Sequence, residues 1–386
     1  MKFQFTQINI NPSFPICPAG FIQQTKPIFN IHDDLHARIM AFEDDRMKIY
    51  LISCDNLGLP ITLQNELQTR LQKNYNKHVF VTISSTHTHF APTPDNADYR
   101  NELLEKLENA CQNLVLEDGT YEISYQREFF DGLGTSRISH HKADHIYLQL
   151  LSIYKNNKRI AVLITHNVHP TIHNGDTPYF TAEYPGYVLQ KCFQKHPETA
   201  FTFMQGADGD ISTRFTRPSQ DWDGMCFLAN KLYNKIEEML LFEPKRKPLV
   251  HLDYESILFP LKHEFNEIDT SSLPNDLTPR ELETIQIGIE VRKELSKDLD
   301  SLPKKIVLSK VQLGDYRLIF SPNELFSSYN NYINLDTSIL VCYSNGYSRY
   351  VSGINDDFIT YETFTDTLTK DCKKEYATHL KHLSND

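Results

Sequence analysis

A run of β-branched and aromatic residues, Val79-Phe80-Val81-Thr82-Ile83, passes through Ser84 and Ser85 into Thr86-His87-Thr88-His89. Such a run reads as a buried strand, so the sheet this chain builds must carry two imidazoles at the end of an inner strand. Side chains alternate with period two in extended chain, which predicts that His87 and His89 point the same way. Taken alone, the pair has two readings: hydrogen-bonded strand-end histidines, or groups that bind a metal or move protons.

The flanking sequence alternates strand and helix signals. Leu63, Leu67 and Leu71 predict a helix over 61–74 between strands at 47–53 and 79–83. A helix over 99–114 follows, then a hairpin of 146–154 and 159–165 turning at Lys155-Asn156-Asn157-Lys158. Next come a helix over 187–193, a strand over 200–204 and a helix over 226–241. Beyond Pro244 the patterns lengthen: a strand over 249–261, a charged helix over 279–299, strands around Gly314-Asp315 and over 339–342, and a helix over 368–383. This alternation predicts an α/β chain with a mixed, largely parallel β-sheet core flanked by helices and a site at strand carboxyl ends. We expect a single domain over 1–386, with a subdomain shift near 244.

Five polar clusters each follow a strand-like run: Thr86–His89, His166–Pro170, Gln205–Ser212, Ser321–Glu324 and Asn345–Tyr350. Parallel strands would gather them on one rim. Each also has a plain reading. His166 and His169 could cap a loop, and the Gly206/Gly209 loop could be an ordinary turn or present N–H groups to an anion. Glu324 could sit in a helix's first turn, and Tyr347 and Tyr350 could simply pack. Together they supply imidazoles, a carboxylate and phenols, a donor set that suits Zn²⁺ with one position open for water.

Composition narrows the classes. A net charge of −11 without a clustered basic patch argues against nucleic-acid partners. The seven cysteines form no Cys-x-x-Cys spacing, so neither a zinc ribbon nor a disulfide framework is expected. Met1–Gln7 lacks the apolar core of a signal peptide, and no apolar run approaches the ~20 residues of a membrane span. The expectation is a cytoplasmic protein with no transmembrane segment.

An ordered series of motifs resembles the catalytic domain of the neutral/alkaline, non-lysosomal ceramidases and their shorter bacterial relatives. The series is Asn11-Pro12, Pro18-Ala19-Gly20, His32-Asp33-Asp34-Leu35-His36-Ala37-Arg38 and Ser53-Cys54-Asp55-Asn56-Leu57-Gly58-Leu59. It continues with His87-Thr88-His89, His169-Pro170-Thr171, Glu183-Tyr184-Pro185-Gly186, Met204–Ser212, Pro322-Asn323-Glu324 and Asn345–Tyr350. The resemblance implies a zinc-dependent amidohydrolase of lipid metabolism that releases a fatty acid from sphingosine. It implies metal ligands at His87, His169, Glu324 and Tyr350, and a proton-transfer residue at His89. Further site residues would be Ser212, Arg137 and Tyr361. The chain departs from the family pattern at Phe90-Ala91-Pro92-Thr93-Pro94, at Thr213-Arg214, and at Glu183, where relatives usually carry aspartate. The expectation omits the immunoglobulin-like C-terminal domain of true ceramidases.

The expected activity is amide hydrolysis by metal-activated water on a small-molecule or lipid-like N-acyl amide. Ser212 is either a stabiliser of the developing oxyanion or a nucleophile, although no Gly-x-Ser-x-Gly elbow surrounds it. Arg137 and Arg214 suggest an anionic group on the substrate, or are surface ion-pair partners. His140, His141 and His145 lie in a loop that either touches the site or is solvated, and His173 is a candidate to support His169. The alternatives are an esterase or amidase for a small cytosolic metabolite, and a non-catalytic protein that retains the metal.

Overall fold

The computed structural model describes residues 1–20, 26–137, 143–265, 273, 277–356 and 359–385. Its frame is three sheets. The first orders the strands His78–Ser85, Met47–Cys54, His36–Glu43, Lys2–Asn9 and Glu117–Asp118. The second orders Ala200–Gln205, Lys158–His166, Tyr147–Lys155, Tyr121–Phe129 and Lys247–Pro248. The third orders Leu252–Pro260, Lys305–Leu313, Tyr316–Phe320 and Ser338–Val341.

The expectation of a largely parallel core is corrected. Each of these sheets has one parallel neighbour pair, and its other pairs are antiparallel. Short connections explain the excess, because a two-residue turn can only reverse a strand. Asn156 and Asn157 both take positive φ, 52° and 62°, the backbone a tight hairpin demands. The parallel pairs arise where a longer crossover intervenes. Helix α1 (Ile61–Gln72) joins the first pair and α3 (Glu183–Lys195) joins the second. Helix α2 (Ala97–Asn113) lies between them in the chain.

Strand alternation sorts side chains onto two faces. Ile39, Tyr50, Ile52 and Val81 face one core with Leu63, Leu67 and Leu71 of α1 and Leu103 and Leu107 of α2. Leu148, Leu150, Val162 and Ile164 of the second sheet face another core with α3 and α4 (Trp222–Leu241). The opposite faces share a third core, in which Met40, Ile49 and Leu51 meet Leu151, Leu163, Val311 and Leu318. Residues before and after 244 contribute to this core together. Outside the third sheet, Ile319 and Leu340 pack with Tyr376 and Leu380 of α7 (Lys370–Asn385).

Two more helices shape the site. Thr278 and Glu281 form a reciprocal capping box that starts α5 (Pro279–Lys297). This helix lies against α6 (Tyr361–Thr365), so closely that a methyl group on Gly288 would meet Tyr361 Cα at 3.0 Å. Arg292 locks the contact by donating to the Phe364 and Asp366 carbonyls. No helix among the described residues is long and apolar enough to cross a membrane.

Candidate functional site

The site lies where the parallel pairs end. Strand His78–Ser85 stops short of its histidines, and His87 takes a left-handed backbone with φ 66°. A non-glycine residue holds that conformation only where its surroundings enforce it. Here the His87 N–H donates to the Asn56 carbonyl at 2.9 Å, and its ring stacks on Tyr343 with centroids 3.7 Å apart. The expectation that His87 and His89 share one face of an extended strand is therefore corrected. Their rings still meet, at 4.9 Å and nearly perpendicular, because His89 Nδ1 lies 3.1 Å from the His87 carbonyl oxygen.

The tautomers follow from the partners. His87 Nδ1 is 2.7 Å from the Leu57 carbonyl, which can only accept. Nδ1 therefore carries the proton and the neutral ring presents a bare Nε2. His169 Nδ1 lies 3.1 Å from Asp208 Oδ2 without completing a hydrogen bond, and the neighbouring carboxylate favours the same tautomer. The two Nε2 atoms then face each other at 3.0 Å, and Glu324 Oε2 stands 3.5 and 3.6 Å from them. Glu324 Oε1 is satisfied by the Tyr347 hydroxyl at 2.6 Å, whereas Oε2 is buried without a hydrogen bond. In these tautomers Glu324 Oε2 and the two Nε2 atoms converge as three lone pairs. A metal held tetrahedrally at ~2.1 Å would separate its donors by about 3.4 Å, close to the spacing found. His87, His89 and His169 form an overlapping set, with ring nitrogens all within 4.8 Å of one another. The donor chemistry of either set fits a divalent metal such as zinc.

Neighbouring elements hold these groups in place. The loop after strand Ala200–Gln205 carries Asp208, which also accepts from Gln205 and from the Tyr343 hydroxyl. Gly209 passes so close that a methyl group there would meet the Glu324 carbonyl oxygen at 2.7 Å. Glu324 and Tyr350 are direct partners in a two-stranded parallel ladder, which places their side chains side by side. Burial pushes the His89 and His169 imidazoles well below the usual histidine range, and the adjacent imidazoles add to it, with Arg137 acting on His169 as well. Burial also drives Tyr350 well above the ordinary phenol range, so it is a neutral phenol.

A cavity of about 750 Å³ opens onto this cluster. His89, His169, Glu324 and Tyr350 line it, together with Glu283, Thr284, Ile287 and Glu290 of α5.

No family model matches the sequence, and no curated protein does. Solved structures do. A ceramidase described as complexed with C2 superposes with a TM-score of 0.76 at 13% identity, and the neutral ceramidase from Pseudomonas aeruginosa with 0.76 at 15%. Each alignment covers 99% of this chain and 74% of the other. The chain has the neutral ceramidase fold.

Within that ceramidase fold the remaining sequence candidates separate. Arg137, Ser212 and Tyr361 all line the cavity. The Arg137 guanidinium is buried and engaged, donating to Glu362 Oε1 at 2.7 Å and to the Tyr350 hydroxyl at 3.1 Å. Ser212 Oγ accepts from the Arg214 N–H at 3.3 Å. The Ser212 backbone bridges His169 on one side and Thr135 on the other. Tyr361 stands edge-on to Tyr350 at 6.0 Å, and Arg214 lies on the cavity wall. His173 lines the same cavity, but its Nδ1 pairs with Glu183 at 2.9 Å and not with His169. His166 is buried with Nδ1 2.9 Å from the Tyr147 carbonyl, while His145 lies 3.4 Å from the Tyr147 hydroxyl and 3.1 Å from Asn331. Neither lines the cavity. His140 and His141 lie outside the described residues.

Sequence reasoning missed Asp208, Glu362 and the α5 wall. Asp208 had a signal, since it sits between Gly206 and Gly209 in a cluster already singled out. Glu362 and Glu283 had none, because ordinary helical carboxylates acquire their roles only by what lies opposite them.

Proposed function

We propose that this chain is a zinc-dependent hydrolase of N-acyl amides. The observation that carries this reading is the buried, unpartnered Glu324 Oε2 beside two facing Nε2 atoms. His87, His169 and Glu324 would hold the metal, with Tyr350 at its edge. Glu324 is preferred over His89 as the third ligand because it supplies the negative charge and the unsatisfied acceptor. When bound, zinc would supply Lewis-acid polarisation of a carbonyl and acidify water for attack.

The chain's own groups do the rest. His89 is tied through Nδ1 to the His87 carbonyl, so its Nε2 is the proton acceptor that later protonates the leaving amine. Arg137, neutralised by Glu362, holds the Tyr350 hydroxyl in position, and Tyr361 offers a phenol to the developing oxyanion. Ser212 serves as part of that wall and not as nucleophile, because among the described residues its hydroxyl meets no imidazole or carboxylate. Charged residues on the cavity wall, including Arg214, Glu283 and Glu290, favour a substrate more polar than ceramide, such as a small amide or ester. None of the seven cysteines forms a disulfide, which supports a reducing, cytoplasmic setting.

The test is metal content and amide hydrolysis in the wild type and in a His87→Ala/Glu324→Ala double variant. About one zinc per chain in the wild type, absent from the variant, with kcat/KM down by at least ~10³-fold, is expected. A wild type that stays metal-free in supplied zinc overturns the reading.

A further inference from the structure

The cavity holds a second oriented imidazole that the proposed chemistry does not use. His173 is 1% exposed, and its Nδ1 lies 2.9 Å from Glu183 Oε1. An ionised carboxylate can only accept, so Nδ1 bears the proton and Nε2 is a lone pair. Glu183 is committed to this arrangement. Its carboxylate also accepts from the N–H groups of Ile172 at 2.8 Å, His173 at 2.9 Å and Tyr184 at 3.3 Å. Its backbone takes φ 55°, a left-handed conformation tolerated to bring the carboxylate under the loop.

The ring is walled by aromatics, with Phe90, Tyr179 and Trp222 centroids 5.5, 6.0 and 6.1 Å away. None of these places a donor on Nε2, which is buried with no hydrogen-bond partner among the described residues. His173 lines the same cavity as His89 and Glu324, whereas Glu183 does not. Nε2, turned from Glu183, is the one polar atom of this cavity-lining ring that no protein group satisfies. A buried acceptor fixed in one tautomer discriminates, because it rewards an N–H or O–H and penalises a methyl group.

We propose that His173, held by Glu183, is a specificity-determining residue whose Nε2 accepts a hydrogen bond from a hydroxyl or amine that the substrate carries beyond its scissile bond. The proposal rests on the amide-hydrolase reading only for the choice of probe.

The chain has a single tryptophan, Trp222, beside His173, so intrinsic fluorescence reports occupancy without turnover. N-dodecanoyl ethanolamine and N-dodecanoyl propylamine are twins with a hydroxyl or a methyl on the amine half. An ω-hydroxyundecanoyl propylamide provides the matching twin on the acyl half, its hydroxyl standing where N-dodecanoyl propylamine ends in a methyl. Titrations of the zinc-loaded wild type should give one hydroxyl probe roughly fivefold or more tighter binding than its methyl twin. His173→Phe should bring the twins within about twofold, and His173→Gln, which keeps a carbonyl acceptor, should restore part of the gap. The preference should survive removal of the metal by chelation. Equal affinities in both pairs for the wild type, as when a bound water saturates Nε2, overturn the proposal. So does a preference undiminished in His173→Phe. A clear preference in a zinc-loaded protein that hydrolyses neither amide would sink the catalytic reading alone and leave this one standing.

Discussion

Two places in this molecule bury histidine beside carboxylate, and they resolve the contact in opposite ways. At His173 the carboxylate of Glu183 takes the Nδ1 proton and three backbone N–H groups, so its acceptor capacity is filled from within the chain. At His87 and His169 the Nδ1 atoms are turned outward, onto the Leu57 carbonyl and beside Asp208, and the Nε2 atoms face each other and Glu324 Oε2. In the first arrangement the carboxylate is satisfied as folded, and only the far Nε2 of His173 is left unpartnered. The second concentrates negative potential that no protein group answers. Residue types are the same in both, so direction of the rings, and not composition, separates a carboxylate-locked imidazole from a metal centre.

Breaking the self-contained pair should have the largest effect on stability. Glu183→Ala strands the His173 Nδ1–H and backbone N–H groups in the interior. It is expected to cost ~3–5 kcal/mol by chemical denaturation while leaving metal stoichiometry unchanged. Loss of metal along with stability would show that the two regions are not separate.

Another buried histidine calibrates the cost of charging an imidazole here. Burial lowers His166 to about 4 from 6.5, against the pull of the Tyr147 carbonyl and Asp208. Between these values the unfolded chain binds the proton and the native state does not, so stability falls as pH drops from about 6.5 to about 4. The loss amounts to about 3 kcal/mol. His166→Gln should flatten that part of the stability–pH curve, and an unchanged slope would assign it to other groups.

At the metal centre, Asp208→Asn keeps the shape but removes the charge behind His169. Metal affinity by competition with a chelator should fall ~10–100-fold. The smallest and most telling change is Glu324→Gln. A glutamine NH₂ can donate to a facing Nε2, so the metal-free variant should gain ~1–2 kcal/mol over metal-free wild type as its metal affinity collapses. A destabilised metal-free variant would mean that Glu324 Oε2 is already satisfied.

The regular elements were legible because local periodicity records which face is buried. Leu63, Leu67 and Leu71 marked α1, and the β-branched and aromatic run before His87 marked its strand. The residues of the site were largely legible too, since each stands next to a strand end or glycine turn. What failed was inference from continuity. Extending the strand through His89 ignored that Asn56 and Tyr343 would impose a left-handed turn at His87. Of the two readings of Arg137, anion binder or surface ion-pair partner, the structure shows an ion pair, but a buried one, with Glu362 225 positions away.

The sequence by itself determined the strand and helix spacing, the polar clusters at strand ends, and a donor set suited to a metal, because these depend on neighbours within a few positions. Only the tertiary structure decided that the sheets are mainly antiparallel, that parallel pairs nonetheless gather at the site, and which carboxylate answers which imidazole. Those outcomes depend on hydrogen-bond partners brought together by the whole packed core, and a side chain's charge carries no record of what will lie opposite it.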